Sequence, residues 1–264
     1  MNIPTYLTRL NYSNPVKPDA ETLHGLQFAH LLTVPFENLD IGLKRPIQLT
    51  EEALWKKIIL HNRGGFCYEL NGLFAWLLKQ IGFDVTYLNA RVFNREGKLG
   101  IEFDHLALLV KIPNQAGRWL ADVGFGDSFN KPLSFEKDGE QAQGAVLSGK
   151  AVSKGLRAYR LEQTPDGYIT WQKNYDGTWG RQYFFDLQPR NFPADYESAC
   201  LYHQTSPESS FTRGSIISRA TTDGRVSLED GWLIVTANGK REKIPIANDE
   251  EYQALLKEHF GVEL

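Results

Sequence analysis

Only two cysteines, Cys67 and Cys200, occur in 264 residues. Two thiols build no disulfide framework, and no Cys/His cluster has the spacing of a zinc site, so neither staples nor a metal are expected to hold the fold. Long apolar runs are missing too, none approaching the roughly 20 residues of a membrane span. The opening stretch, MNIPTYLTRLNYSNP, has no basic leader followed by an apolar segment, so no signal peptide is expected. An excess of one charge is also absent. Lys and Arg number 29 against 32 Asp and Glu, a net charge of −3 with no bulk attraction for nucleic acid or an anionic membrane. These absences point to a cytoplasmic, reducing home and to a globular protein held by its hydrophobic core.

What is present is organised in blocks. The first third reads helical. PDAETLHGLQFAHLLTV places Leu23, Leu26 and Leu31 near one side behind a capping Asp19. TEEALWKKIIL starts at Thr50 with acids in the first turn. YELNGLFAWLLKQI sets apolar residues at 70, 73, 74, 77, 78 and 81, the stripe of a buried helix. After Gly82 the texture changes to short β-branched or aromatic runs: DVTYLNARVF, HLALLVKI, GRWLADVGF, GLRAYRLEQ, GYITWQKN and WGRQYFFDL. Turn signals such as Pro113-Asn114 and Asp176-Gly177 separate them, which predicts antiparallel strands in a small barrel or sandwich. QPRNFPADY reads as a boundary. Three short strands, around Ile216, Val226 and Leu233, and a helix over 249–259 are expected beyond it. Helices, then strands, then a mixed tail make an α+β protein in three parts.

The stretch NRGGFCYELNGLF places Cys67 in the first turn of a helix. There the positive end of the helix dipole and unpaired N–H groups favour a thiolate, the nucleophilic form of cysteine. Gly64 and Gly65 would let the backbone bend and approach a substrate, and nearby N–H groups could hold an oxyanion. The alternative is plain packing, the commonest fate of a free cysteine. A nucleophile needs a base, and the base an orienting group. Of the histidines, His24, His30 and His259 sit on predicted helices, where a surface or satisfied structural role is expected, and His61 is close to Cys67 only along the chain. His105 opens an apolar strand, a poor place for a polar ring without a partner. If that strand and RWLADVG form a hairpin centred between residues 113 and 114, His105 faces Asp122 with Cβ atoms about 4.5–5.5 Å apart. A one-residue bulge would turn Asp122 to the other face, and a purely structural His–Asp pair is the competing reading.

Four segments, VPFENL (34–39), RGGFCYELN (63–71), DVGFG (122–126) and QTSPESSF (204–211), resemble the arylamine N-acetyltransferases in order and spacing. The resemblance implies a catalytic triad of Cys67, His105 and Asp122. It implies a helical bundle over 1–83, an antiparallel β-barrel over 84–190 and an α/β lid over 191–264, with a core like that of cysteine proteases and transglutaminases. Acetyl-coenzyme A would acetylate Cys67, and an arylamine, arylhydroxylamine or hydrazine would then take the acetyl group, without a metal. Arg63 and Glu37 resemble a pair that ties the active-site turn to the first helical segment. Phe36 and Phe125 resemble the lining of an acceptor pocket. Gly124 and Gly126 would let the pantetheine arm of coenzyme A pass close to backbone, and Tyr202, Thr205, Ser209 and Ser210 resemble residues that contact coenzyme A. Cys200 matches no functional position and is expected to pack. Asp104 departs from relatives with a small residue before the histidine. On a strand it would point away from His105, while its charge would disfavour an anionic cofactor. An amide synthase of the same superfamily, releasing a polyketide from a carrier protein, would use the same triad and is the alternative.

Overall fold

Local capping starts each helix of the first third. In the computed structural model, which describes residues 1–143, 145–147, 150–152, 157–174 and 176–264, Asn2 accepts the Thr5 N–H to open α1 (Ile3–Arg9). The carboxylate of Asp19 accepts the Thr22 N–H to open α2 (Ala20–Thr33). A two-residue strand β1 (Phe36–Glu37) and a single turn α3 (Leu39–Gly42) follow. Thr50 caps α4 (Glu51–Trp55) as its position suggested. The helix expected to continue to Leu60 instead widens into a π-helix over Lys56–Leu60, and this carries Lys57 inward to buried carboxylates. Helix α5 (Cys67–Ile81) is buried at every position from Cys67 to Leu78 and ends at Gly82, whose φ of +107° is open to glycine.

The middle block is a sheet that curls into a nearly closed antiparallel barrel. Its strands in chain order are β2 (Asp84–Val92), β3 (His105–Lys111), β4 (Arg118–Ala121), β5 (Leu133–Ser134) and β6 (Gln141–Ala142). A separate hairpin, β7 (Ala145–Leu147) and β8 (Lys150–Val152), precedes β9 (Ala158–Thr164), β10 (Gly167–Lys173) and β11 (Trp179–Phe185). Positions 155 and 156 of the run GLRAYRLEQ lie outside the described residues. The order is β5-β4-β3-β2-β11-β10-β9-β6. Strand β3 explains why HLALLV reads apolar throughout. Ala107 and Leu109 pack among Leu88, Ala90, Leu120, Tyr183 and Phe185 inside the barrel. Leu106, Leu108 and Val110 turn the other way, into the core that surrounds α5.

Beyond the barrel come α6 (Glu197–Thr205), a short turn of 3₁₀-helix, strands β12 (Ile216–Ala220), β13 (Gly224–Glu229), β14 (Trp232–Ala237) and β15 (Lys240–Pro245), and α7 (Asp249–Phe260). The second sheet runs β1-β12-β13-β14-β15, with Phe36 paired to Ser218 and Glu37 to Ile217. The early segment VPFENL thus forms an edge of the late sheet. Two elements here were not anticipated. Strand β15, KREKIP, is exposed along its length and shows no apolar alternation; its charges suit an unpaired edge. Helix α6 is short and buries only Ala199, Cys200 and His203. Helix α7 packs Leu256 and Phe260 against Ile217, Val226 and Leu228. Among the described residues, no helix is long and apolar enough to cross a membrane.

Candidate active site

The turn before α5 is held by its own chain. The Glu37 N–H donates to Gly65 O at 2.8 Å, and the Gly65 N–H to Pro35 O at 3.4 Å. A Cβ on Gly64 would run into the carbonyl of Pro35, and one on Gly65 would lie 2.7 Å from the Glu69 side chain. Gly64 is required by the close approach of the chain entering β1 and Gly65 by that of Glu69, not by a bend kept free for substrate. Arg63 Nη2 lies 2.8 Å from Glu37 Oε1 and 3.0 Å from Asp40 Oδ1. Lys57 Nζ lies 2.8 Å from both Asp40 Oδ2 and Glu69 Oε1. The expected Arg63–Glu37 pair is thus part of a cluster of two cations and three carboxylates, of which Lys57, Asp40 and Glu69 were missed. Acids inside otherwise apolar segments were the available signal. Glu69 also accepts the Phe66 N–H at 3.1 Å, which fixes the first turn of α5. Burial raises its pKa to about 7 against the pull of Lys57.

Cys67, at 4 % exposure, borders a cavity of about 540 Å³ together with His105, Asp104, Phe36, Phe125 and His203. Burial pushes its thiol pKa well above the ordinary range, opposed by a backbone hydrogen bond from Leu106 and reinforced by the carboxylates of Asp104 and Asp122. The helix N-terminus favours a thiolate, and burial opposes it. In this pocket desolvation outweighs the helix end, and the lone thiol stays protonated.

The strands carrying His105 and Asp122 pair with Leu108 opposite Ala121 and Leu109 opposite Leu120. The hairpin is centred between residues 114 and 115, one position later than expected. Asp122 therefore falls just beyond β4 and, extending the register, opposite Ala107 rather than His105. A shift of two residues keeps the face, so the side chains meet on a diagonal. His105 Nε2 lies 2.8 Å from Asp122 Oδ2. Asp122 is completely buried, and both of its oxygens are engaged. Oδ2 also accepts the Tyr183 hydroxyl at 3.0 Å, while Oδ1 accepts Asn71 Nδ2 and the Gly124 N–H, both at 2.9 Å. Burial alone would raise the Asp122 pKa, but His105 and these donors hold it below the usual carboxylate value. Asn71 further donates to Leu106 O at 2.6 Å and accepts the Val123 N–H at 2.9 Å, so one amide joins α5, β3 and the 122–126 turn. Gln27 accepts the Asp122 N–H at 3.1 Å. Asn71, Gln27 and Tyr183 were not anticipated. Asn71 lies within the segment RGGFCYELN, and Gln27 is a polar group on an otherwise apolar helical stripe.

A buried cysteine bordering the same cavity as a histidine clamped to a carboxylate is the arrangement on which the comparisons with known proteins bear. The chain matches the N-acetyltransferase family profile over residues 19–264. It is 33% identical to an arylamine N-acetyltransferase of Mycolicibacterium smegmatis over 268 residues, covering 100% of this chain and 93% of that protein. The chain belongs to the arylamine N-acetyltransferase family. It is an acyltransferase, and its family uses acetyl-coenzyme A. A Mycobacterium marinum arylamine N-acetyltransferase solved in complex with CoA superimposes with a TM-score of 0.87 at 29% identity, over 99% of this chain and 93% of that one. A Bacillus cereus member, described as having a unique Cys-His-Glu catalytic triad, superimposes with a TM-score of 0.84 at 28% identity over 100% of both chains.

The other family-derived positions divide. Phe36 and Phe125 both border the Cys67 cavity, and the Phe125 ring centre lies 5.2 Å from that of His105. A Cβ on Gly124 would lie 2.7 Å from Cys67 Cα, so this glycine lets the 122–126 turn rest on α5 itself. Gly126 has φ +88° and faces the Phe36 ring. Of the four residues expected near coenzyme A, only Ser210 borders the cavity. Tyr202 is half-buried. Thr205 bonds within α6, donating to Leu201 O at 2.8 Å. Ser209 is buried, accepts the Phe211 N–H and meets His203 Nδ1. Asp104 does not turn away from the site. It precedes β3 in a bend and borders the same cavity. Cys200 is packed, with Gln204 Nε2 at 3.3 Å from its sulfur. His30 is neither on the surface nor satisfied among the described residues: it is fully buried, neither ring nitrogen has a hydrogen-bond partner among them, and burial lowers its pKa to about 3. His24 is similar at Nε2, with burial lowering its pKa to about 4. An adjoining cleft of about 490 Å³ shares Phe36, Phe125 and Glu229 with the cavity and is bordered by Arg157, Arg225 and Arg241, the first two of them paired with Asp127. Among the described residues, no group of three or more His, Cys, Asp or Glu side chains could hold a metal ion.

Proposed function

We propose that Cys67, His105 and Asp122 carry acetyl transfer from acetyl-coenzyme A to an arylamine, arylhydroxylamine or hydrazine in two half-reactions through a cysteine thioester. One observation carries this reading: a His–carboxylate couple at 2.8 Å borders the same cavity as the buried thiol. Asp122 takes the Nε2–H of His105, which leaves Nδ1 to accept the thiol proton. A lone thiolate is opposed by burial, but moving the proton from Sγ to the imidazole adds no net charge to the site. The thiol is therefore activated only as part of the pair, and Asp122, kept ionised by its donors, stabilises the imidazolium.

In the first half-reaction Sγ attacks the acetyl carbonyl, the bond to the sulfur of coenzyme A breaks, and the imidazolium protonates the leaving thiolate. One thioester replaces another, so the step is nearly balanced in energy. In the second, the amine nitrogen attacks the Cys67 thioester, His105 takes the amine proton, and the Cys67 sulfur leaves. The acyl end of coenzyme A enters beside Phe36 and Phe125, and its phosphates lie toward Arg225 and Arg241 in the adjoining cleft. The solved CoA complex of the Mycobacterium marinum relative supports coenzyme A as a ligand. The three-part division at residues 83 and 190 and a cytoplasmic home belong to the same proposal.

Two-substrate steady-state kinetics tests it. With acetyl-coenzyme A and an aniline or hydrazide, double-reciprocal plots at several acceptor concentrations are expected to be parallel. Intersecting lines would mean that donor and acceptor bind together, without a free acetyl-enzyme.

A further inference from the structure

The cavity beside Cys67 holds a second histidine–carboxylate contact that the transfer chemistry does not use. Asp104 Oδ1 lies 3.1 Å from His203 Nε2. The two are out of hydrogen-bond alignment, and His203 Nε2 is a buried atom with no hydrogen-bond partner among the described residues. The other ring nitrogen is engaged: His203 Nδ1 lies 3.1 Å from Ser209 Oγ, which accepts the Phe211 N–H. Asp104 is also held in place. Its Oδ2 accepts the Val92 N–H at 3.2 Å, and a Cβ on Gly100 would collide with the same oxygen. Both side chains border the cavity that contains Cys67 and His105.

The ionisable partner of this carboxylate is His203, at 3.1 Å. Among the described residues no Lys or Arg lies within ion-pair distance of Asp104. The remaining charges that border the cavity are Glu229, Asp230 and Arg213, so the carboxylates outnumber the guanidinium. Glu229 and Asp230 are exposed and screened by water, whereas the Asp104 side chain is only 17% exposed. An occupant beside Cys67 would therefore meet its field, which is felt at the Cys67 thiol together with that of Asp122.

We propose that Asp104, held by the Val92 N–H, selects acceptors by charge, disfavouring arylamines with an anionic ring substituent and favouring those with a cationic one. This rests on the acetyl-transfer reading, because it places the acceptor in that cavity. It also separates the two substrates. The acceptor meets the acidic side of the cavity, while the phosphates of coenzyme A lie toward the arginines of the adjoining cleft. A unit charge roughly 6 Å away, in surroundings of effective dielectric about 40, changes an equilibrium about tenfold.

Three acceptors of one shape test this: 4-aminobenzoate (anionic), 4-aminobenzamide (neutral) and 4-aminobenzamidine (cationic). The acetylated enzyme is prepared with acetyl-coenzyme A, and its decay is followed by intact mass as each acceptor is added, in the wild type and in Asp104→Asn. Comparing each acceptor with itself cancels intrinsic amine reactivity. Taking ratios to the neutral amide cancels any general effect of Asp104 on the Cys67 thioester. In Asp104→Asn the ratio for 4-aminobenzoate is expected to rise about tenfold and that for 4-aminobenzamidine to fall about tenfold. Equal changes for all three would overturn the proposal and leave Asp104 a structural residue. Should that variant fold poorly, Asp104→Ser provides the second test, with the same opposite shifts of the benzoate and benzamidine ratios expected and equal changes again overturning the proposal. If the wild type forms no acetyl-Cys67 at all, the transfer reading falls and the selection with it. If acetyl-Cys67 forms and the ratios do not respond to charge, only the selection falls.

Discussion

Asp122→Asn isolates the role of the buried carboxylate. The side chain keeps its shape, but its contacts are all of one kind: Oδ1 accepts from Asn71 and Gly124, and Oδ2 from His105 and Tyr183. An amide cannot accept at both ends. If its NH₂ took the Oδ1 position, it would face two donors, the Asn71 amide and the Gly124 N–H, so that orientation is closed. The NH₂ must take the Oδ2 position. Tyr183 can turn its hydroxyl to accept from it, but His105 must then present a lone pair at Nε2 and carry its proton on Nδ1. That tautomer cannot take the thiol proton. By the same wrong-tautomer logic in Ser-His-Asp hydrolases, the acetylation rate should fall by about 10⁴-fold. The cost to folding should be far smaller, about 1–3 kcal/mol for the one donor–acceptor mismatch. Stopped-flow acetylation of the enzyme by acetyl-coenzyme A reads the first number, and urea unfolding reads the second. ¹⁵N shifts of the His105 ring should report the changed tautomer. An Asn variant that acetylates within tenfold of the wild type would refute the orienting role.

Three further outcomes follow from the same contacts. Tyr183→Phe removes one donor to an ionised, fully buried carboxylate and should cost about 1.5–3 kcal/mol in urea unfolding; unchanged stability would show that this hydrogen bond contributes nothing. Gly124→Ala places a Cβ 2.7 Å from Cys67 Cα and 2.8 Å from Asn71 Nδ2, so about 1–3 kcal/mol of stability and most of the activity should be lost, as unfolding and turnover assays would show. His30 is neutral and unpartnered among the described residues, with its pKa lowered from 6.5 to about 3. The unfolded chain therefore binds the extra proton, and this group's contribution to stability is full above pH 6.5 and declines as pH falls toward 3. His30→Leu should raise the urea midpoint at pH 5 more than at pH 8, and an equal effect at both pH values would contradict the assignment.

How much of this was legible in the sequence depended on how local each feature is. Capping residues and apolar periodicity are local, so Asp19, Thr50 and the stripe from Leu70 to Ile81 marked three helices correctly. The β3–β4 register came out two residues off because Pro113-Asn114 marks a turn region without specifying its centre. Parity survived the error, and with it the meeting of His105 and Asp122. Strand β15 was invisible because an exposed, charged edge shows no hydrophobic alternation. The cluster of Lys57, Asp40 and Glu69 around Arg63 and Glu37 left only acids inside apolar segments as its signal, and such a charge can be placed only once its partners are known. The same holds for Asn71, Gln27 and Tyr183, whose function is to complete the hydrogen bonding around Asp122. At Cys67 the helix N-terminus can be recognised locally, whereas the burial that opposes its thiolate depends on the whole fold.

The account depends on Cys67 as the carrier of the acetyl group, and mass spectrometry of the intact protein after brief exposure to acetyl-coenzyme A without acceptor tests this most directly. A single acetyl group mapped to Cys67, absent in Cys67→Ala and discharged by an added aniline, is the predicted result. An unmodified protein, or an acetyl group on Cys200 instead, would contradict it.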